Sequence, residues 1–151
     1  MSDYEFTLSL RIRHPSIEPS VLTQKLGIEP LHTWRAGDPR LGPAGELLEG
    51  TYRGSYWMGP LTHEPALSSD QVTAESVLLQ ALAQLRRSSD FLAGLSAAGG
   101  VAEVYVSMFA REDFRLELSS ESIALLGKLG LAVTFDVHPS LAPAASTSLG
   151  N

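Results

Sequence analysis

Residues 4–13, YEFTLSLRIR, alternate without a break: Tyr4, Phe6, Leu8, Leu10 and Ile12 fall on one side, Glu5, Thr7, Ser9, Arg11 and Arg13 on the other. Successive side chains on a strand point to opposite faces, so this period predicts a strand with one face in a core and the other toward water. A helix would scatter the same five apolar groups around its circumference. The chain must therefore build a sheet with an apolar and a polar face, and the remaining sequence has to supply the layer that covers the first.

Helical spacings supply that layer. Between 15 and 30, Pro19 suits a first helical position, Val21, Leu22 and Leu26 make an apolar stripe, Gly27 suits a left-handed cap, and Pro30 blocks continuation. Further on, Ser68 with Gln71 offers a capping box to a helix carrying Leu78, Leu79, Leu82 and Leu85, stopping near Arg87. Phe91, Leu92 and Leu95 continue the stripe on a short helix ending at Gly99 and Gly100. A last helix, capped by Ser119 or Ser120, runs through Ile123, Leu125, Leu126 and Leu129 to Gly130.

Four more strands are expected: TYRGSYWMG from 51, VAEVYVSMFA from 101 and FRLELS from 114 as a hairpin joined by RED, and LAVTFDVH from 131. Residues 31–50, rich in Gly and Pro, read as a long loop, and loops of that length are often functional. The order β-α-β-α-β-β-α-β predicts an α+β fold: a two-layer, mostly antiparallel five-stranded sheet with helices on one face. Within it, a ferredoxin-like β-α-β-β-α-β core follows a β-α unit. One domain is expected over residues 1–139, with 140–151 a loosely held tail rich in Ala, Ser and Pro.

Composition narrows the function. At 151 residues with 44% hydrophobic and 19% charged positions, the chain can bury a core without staples. It has no cysteine, which excludes disulfides, thiolate metal sites and a cysteine nucleophile and suits a cytoplasmic setting. The start, MSDYEF, lacks a basic-then-apolar run, and no stretch approaches about eighteen apolar residues, so neither leader nor membrane span is expected. A net charge of -6 makes nucleic acid an improbable partner, although interleaved Arg and Trp would suit a single strand.

The segments IEPSVLTQKLGIEP, RAGDPR, GSYW and LSSESIALLGKLGLAVTFDVH occur in that order. With this order and spacing the chain resembles the bacterial domain-of-unknown-function family 4279 from residue 4 to about 138. The family's recurring Leu-Gly-hydrophobic-x-Pro segment, Gly-Asp pair and later Trp correspond here to Leu26, Gly27, Pro30, Gly37, Asp38 and Trp57. Where family members often carry Tyr at the end of the final strand, this chain has His138. The resemblance implies no reaction, cofactor or substrate.

The candidate binding residues are Trp34, Arg35, Asp38 and Arg40 in the loop, with Arg53, Tyr56 and Trp57 on the next strand. Guanidinium forks beside aromatic faces suit a carboxylate, a phosphate or an acidic peptide. The plainer reading is that Asp38 pairs with Arg35 or Arg40 while both tryptophans pin the loop to the sheet. The function expected is a non-enzymatic binding or interaction domain, taking an anionic or aromatic ligand or a protein partner.

The alternative is a small hydrolase or transferase using Asp136 and His138, two apart on one strand, as an acid/base pair. No nucleophile sits in a recognisable elbow. His14, His32, His63 and His138 lack zinc-site spacing, and no phosphate-cradling glycine loop is present, so neither metal nor cofactor is expected. On the 101–110 strand, Ala102, Val104, Val106 and Met108 should meet the helices. Glu103, Tyr105, Ser107 and Phe109 should lie on an open face that suits a homodimer or simple exposure.

Overall fold

The computed structural model describes residues 3–140. Its centre is β1 (Glu5–His14), the strand that the period of two predicts. Along its whole length it pairs antiparallel with β7 (Val101–Phe109), Leu8 opposite Val106. On its other edge it pairs antiparallel with β5 (Ser55–Pro60) over its second half and with the two-residue β6 (Leu67–Ser68) at its start. The three-residue β2 (His32–Trp34) lies outside β5, and β8 (Leu131–His138) lies outside β7, parallel to it. The order across the sheet is β2-β5-β1-β7-β8.

All helices lie on one side. They are α1 (Pro19–Leu26), α2 (Ala74–Leu85), which runs through a 3-10 turn (Arg86–Ser88) into α3 (Ser89–Ala97), and α4 (Ser120–Lys128). The core forms between them and the inner face of the sheet: Phe6, Leu8, Leu10 and Ile12 of β1, Val104, Val106 and Met108 of β7, and Leu22, Leu78, Leu82, Leu92 and Leu126 from the helices. Among the described residues the opposite face carries no helix. Its residues follow from parity: Trp34, Tyr56, Met58, Arg11, Arg13, Glu103, Tyr105, Ser107, Phe109, Thr134, Asp136 and His138.

Local sequence accounts for most helix ends. Pro19 opens α1, and Gly27 closes it at φ 69°, its N–H bonded to Thr23 O at 2.9 Å. Ser119 caps α4, its hydroxyl accepting from Ser122 N–H at 3.3 Å. The cap of α2 is Thr73, accepting from Ser76 N–H at 3.1 Å, and not the expected Ser68. Ser68 is taken up by β6, and its carbonyl instead closes a turn with the amides of Gln71 and Val72.

Three further expectations change. Residues 31–50 are not a bare loop: β2 is followed by a two-stranded ribbon, β3 (Pro39–Leu41) with β4 (Leu47–Thr51), and the expected strand from 51 begins only at Ser55. The 101–119 hairpin does not form. Residues 111–119 pair with no described strand, although Phe114, Leu116 and Leu118 still alternate into the edge of the core. The segment instead carries the chain across to α4, and β7-α4-β8 becomes a parallel crossover, which needs a connection much longer than a hairpin turn. The sheet is therefore mixed and six-stranded, and the ferredoxin-like connection order does not hold without the strand at 114. Most of the expected tail, from 141 on, lies outside the described residues.

Candidate functional site

Trp34, Tyr56 and Arg13 form one row across the open face, because Trp34 lies opposite Tyr56 on the β2–β5 ladder and Tyr56 opposite Arg13 on the β5–β1 ladder. Neighbouring strands run about 4.8 Å apart, close to the spacing of stacked rings. The Trp34 and Tyr56 rings accordingly stack at 4.5 Å, and the Arg13 guanidinium carbon sits 5.7 Å from the Tyr56 centroid. Tyr52 extends the row beyond the sheet edge, stacking on Trp34 at 4.2 Å and 10°. Two parallel rings at these distances must occupy opposite faces of the indole, so a guest can meet only its edge.

Tyr52 is held there by the loop. Its N–H donates to Asp38 O at 3.0 Å, and its carbonyl accepts from Gly37 N–H at 2.8 Å. Gly37 sits at φ 90°, where a side chain would be strained. Asp38 Oδ2 accepts from Arg35 N–H at 2.9 Å, and Ala36 N–H donates to Ser55 Oγ at 3.0 Å. Arg35 pairs with Glu18 at 3.1 Å, and Arg40 donates to Glu49 O at 3.1 Å. Arg35, Asp38 and Arg40 thus act as fasteners of the loop and ribbon.

Trp57 leaves the candidate site altogether. It lies on the helix side, fully buried, and its Nε1–H donates to Thr23 Oγ1 of α1 at 3.0 Å. The cause is the period of two: Tyr56 and Trp57 are adjacent on β5 and must face opposite ways. The rings beside Trp34 are those of Tyr52 and Tyr56 instead.

Two hollows flank the row. One, of about 480 Å³, is lined by Arg13, His14, Tyr52, Arg53, Ser55 and Val101 together with Trp34 and Tyr56. The other, of about 680 Å³, lies toward Leu31, His32 and Thr33 and shares Arg13, Trp34 and Tyr56. Among the described residues no carboxylate lines either one. Arg53 has no partner among the described residues. Arg13 has only a 3.7 Å approach to Glu103 Oε1. His14 Nδ1 accepts from the amides of Ser16 and Ile17 at 3.1 and 3.0 Å, which leaves Nε2 to carry the proton of the neutral ring. Arg13, His14 and Tyr52 are absent from the sequence-derived set. Arg13 ends the polar side of β1, and only the strand order reveals that this end meets Tyr56.

Across the rest of the open face the charges are used internally. Arg11 Nε donates to Glu103 Oε1 at 2.6 Å, Thr134 Oγ1 donates to Glu103 Oε2 at 2.7 Å, and the Arg11 guanidinium lies 4.0 Å over the Tyr105 ring. Burial opposes ionisation of Glu103, but Thr134, Arg11 and then Arg13 outweigh it and hold the carboxyl below its ordinary range. Asp136 and His138 do share a face, His138 Nε2 lying 3.6 Å from Asp136 Oδ2. That same oxygen accepts the Tyr105 hydroxyl, the His138 ring stacks on Phe109 at 5.1 Å, and neither residue lines the hollows beside Trp34. Among the described residues no three His, Asp or Glu side chains cluster as metal ligands, and no helix is long and apolar enough to cross a membrane.

Fold and site together define an α+β protein whose mixed sheet is covered by helices on one face and bears an aromatic, arginine-edged concavity on the other. The chain belongs to the family described as Domain of unknown function (DUF4279), which it matches over residues 4–140. No curated protein and no solved structure matches it. Several residues singled out in the sequence build the scaffold: Gly27 ends α1, Gly37 and Asp38 shape the loop, and Trp57 fills the core.

Proposed function

We propose that this chain is a non-enzymatic binding domain whose hollow beside Trp34, Tyr52 and Tyr56 receives an anionic ligand with an apolar or aromatic body, either a small molecule or a segment of a protein partner. The observation that carries this reading is the pairing of an aromatic wall with Arg53, unpaired among the described residues, and Arg13, loosely paired, in a concavity that no described carboxylate lines. Convergent cations on an apolar surface favour a guest that brings both an anionic head and a body to be desolvated. Absence of cysteine suits a reducing compartment such as the cytoplasm. The acid/base reading of Asp136 and His138 ranks below it, because the carboxylate is already bound by Tyr105.

Calorimetric titration with aryl carboxylates and aryl phosphates, each beside its neutral amide or alcohol counterpart, tests the reading. Anionic members should bind, weaken with added salt, and lose about tenfold or more on Arg53→Ala, the loss of roughly one charge-assisted hydrogen bond. Equal binding of neutral counterparts, or full binding by the Arg53→Ala protein, overturns it. A hydrolytic activity abolished by His138→Asn would install the rival.

A further inference from the structure

The two edges of the sheet are finished differently. β2 is three residues long and is flanked by Tyr52, stacked on Trp34. β8 is eight residues long and contains no proline, lysine or arginine. Among the described residues, only β7 pairs with its backbone between 131 and 137. Natural sheets blunt such an edge with short strands, charges, proline or bulges, because unpaired N–H and C=O groups template another strand. β8 is long and carries no proline, and its one acidic side chain, Asp136, lies on the open face and is held by the Tyr105 hydroxyl.

A second observation points to the same edge. On the helix side of β7, Val104, Val106 and Met108 are fully buried, whereas their β8 neighbours Val133 and Phe135 are half-buried and Val137 is 52% exposed. Among the described residues the helical layer runs out before the sheet does, leaving apolar side chains partly uncovered beside backbone that no described strand pairs.

We propose that β8 pairs antiparallel with β8 of a second copy of this chain, about a two-fold axis normal to the sheet, joining two sheets edge to edge with both helical layers on the same side. Opposed residues of an antiparallel pair share a face, so faces match only in registers centred on a residue. Centring on Asp136 would confront two carboxylates, which is destabilising. Centring on Phe135 sets Val133 against the partner's Val137 on the helix side, so the residues with exposure left to lose cover one another. On the open side it sets Thr134 against the partner's Asp136 and Ala132 against the partner's His138, with no like charges opposed. The contact is isologous and closes on itself, as a two-fold interface must. It uses the edge remote from Trp34, so ligand binding there neither needs nor reports it.

Sedimentation equilibrium of the full chain over a concentration series is the test. The expected result is a monomer–dimer equilibrium whose dissociation constant rises at least tenfold in Val137→Lys, a change at a position half exposed in the monomer and therefore compatible with folding. Hydrogen exchange of the unaltered chain gives a second reading: amides within 131–138 should gain protection as concentration rises. A chain that is monomeric throughout overturns the proposal. So does a dimer that Val137→Lys leaves intact and whose β8 amides exchange independently of concentration.

Discussion

Arg11 and Glu103 face each other across the β1–β7 ladder and join directly, Nε to Oε1 at 2.6 Å, on the face of the sheet that has no helix. Arg11 also lies over Tyr105, and Glu103 also binds Thr134, so this pair anchors a polar layer spanning β1, β7 and β8. The Glu103 carboxyl is held below its ordinary value of 4.5, its burial opposed by Thr134 and Arg11. The ionised form is thus preferred by the folded chain, and its contribution is full above the unfolded value and lost as pH falls through the lowered folded one. Glu103→Gln should cost about 1.5–3 kcal/mol at pH 7, the range for hydrogen bonds to a charged group. In urea titrations the gap between variant and parent should close as pH drops below about 4.

Tyr105 donates its hydroxyl to Asp136, which raises its pKa above the ordinary 10.0, with burial adding in the same direction. Losing that proton would place a phenolate against a carboxylate. In an ultraviolet titration, the component removed by Tyr105→Phe should ionise above pH 10, and Asp136→Asn should bring it down toward the ordinary value. The sign is opposite to that of Glu103: stability tied to the neutral phenol is present below the unfolded value and lost as pH climbs through the raised folded one.

Thr23 is the hydrogen-bond acceptor of a buried indole, at 3.0 Å from Trp57 Nε1. Thr23→Val preserves shape but strands a buried donor, which costs about 1–3 kcal/mol. Chemical denaturation should show that loss, while affinity at the Trp34 hollow, on the other face, should stay unchanged.

Two glycines should respond in opposite directions. A Cβ at Gly59 would lie 2.5 Å from the Trp57 ring and 2.8 Å from Ile28 Cγ2, and the entombed indole has nowhere to go, so Gly59→Ala should destabilise by about 1–3 kcal/mol. Gly94 lies within α3 and has nothing within 4 Å, so Gly94→Ala should stabilise by about 0.5–1 kcal/mol. Thermal unfolding of the two variants side by side decides both.

The sheet's centre and helical layer are legible in the sequence because burial on one face imposes a period. The alternation in β1 and the split of β7 into Val104, Val106 and Met108 against Glu103, Tyr105, Ser107 and Phe109 survive intact. The β3–β4 ribbon is not legible, since it buries neither face and so carries no alternation; Leu41 and Leu47, opposite each other, are both exposed. The false hairpin has the converse cause. Phe114, Leu116 and Leu118 alternate as a strand would because they cover the core edge, yet nothing in their spacing says whether a ladder partner exists. At the candidate site, Trp34, Arg53 and Tyr56 are found by residue type, whereas Arg13 and Tyr52 join them only through cross-strand register and a turn at the base of the ribbon. Trp57 is misplaced when grouped by proximity in sequence, though its parity against Tyr56 already separates the two.

That separation has a practical consequence. The chain contains two tryptophans, and the sheet puts one on each side. Emission from Trp57, sealed among the helices, should lie to the blue and resist acrylamide. Emission from Trp34 should register whatever enters or leaves the ring-walled cleft. Replacing either by phenylalanine turns the molecule into its own single-colour probe, of melting in one case and of occupancy in the other.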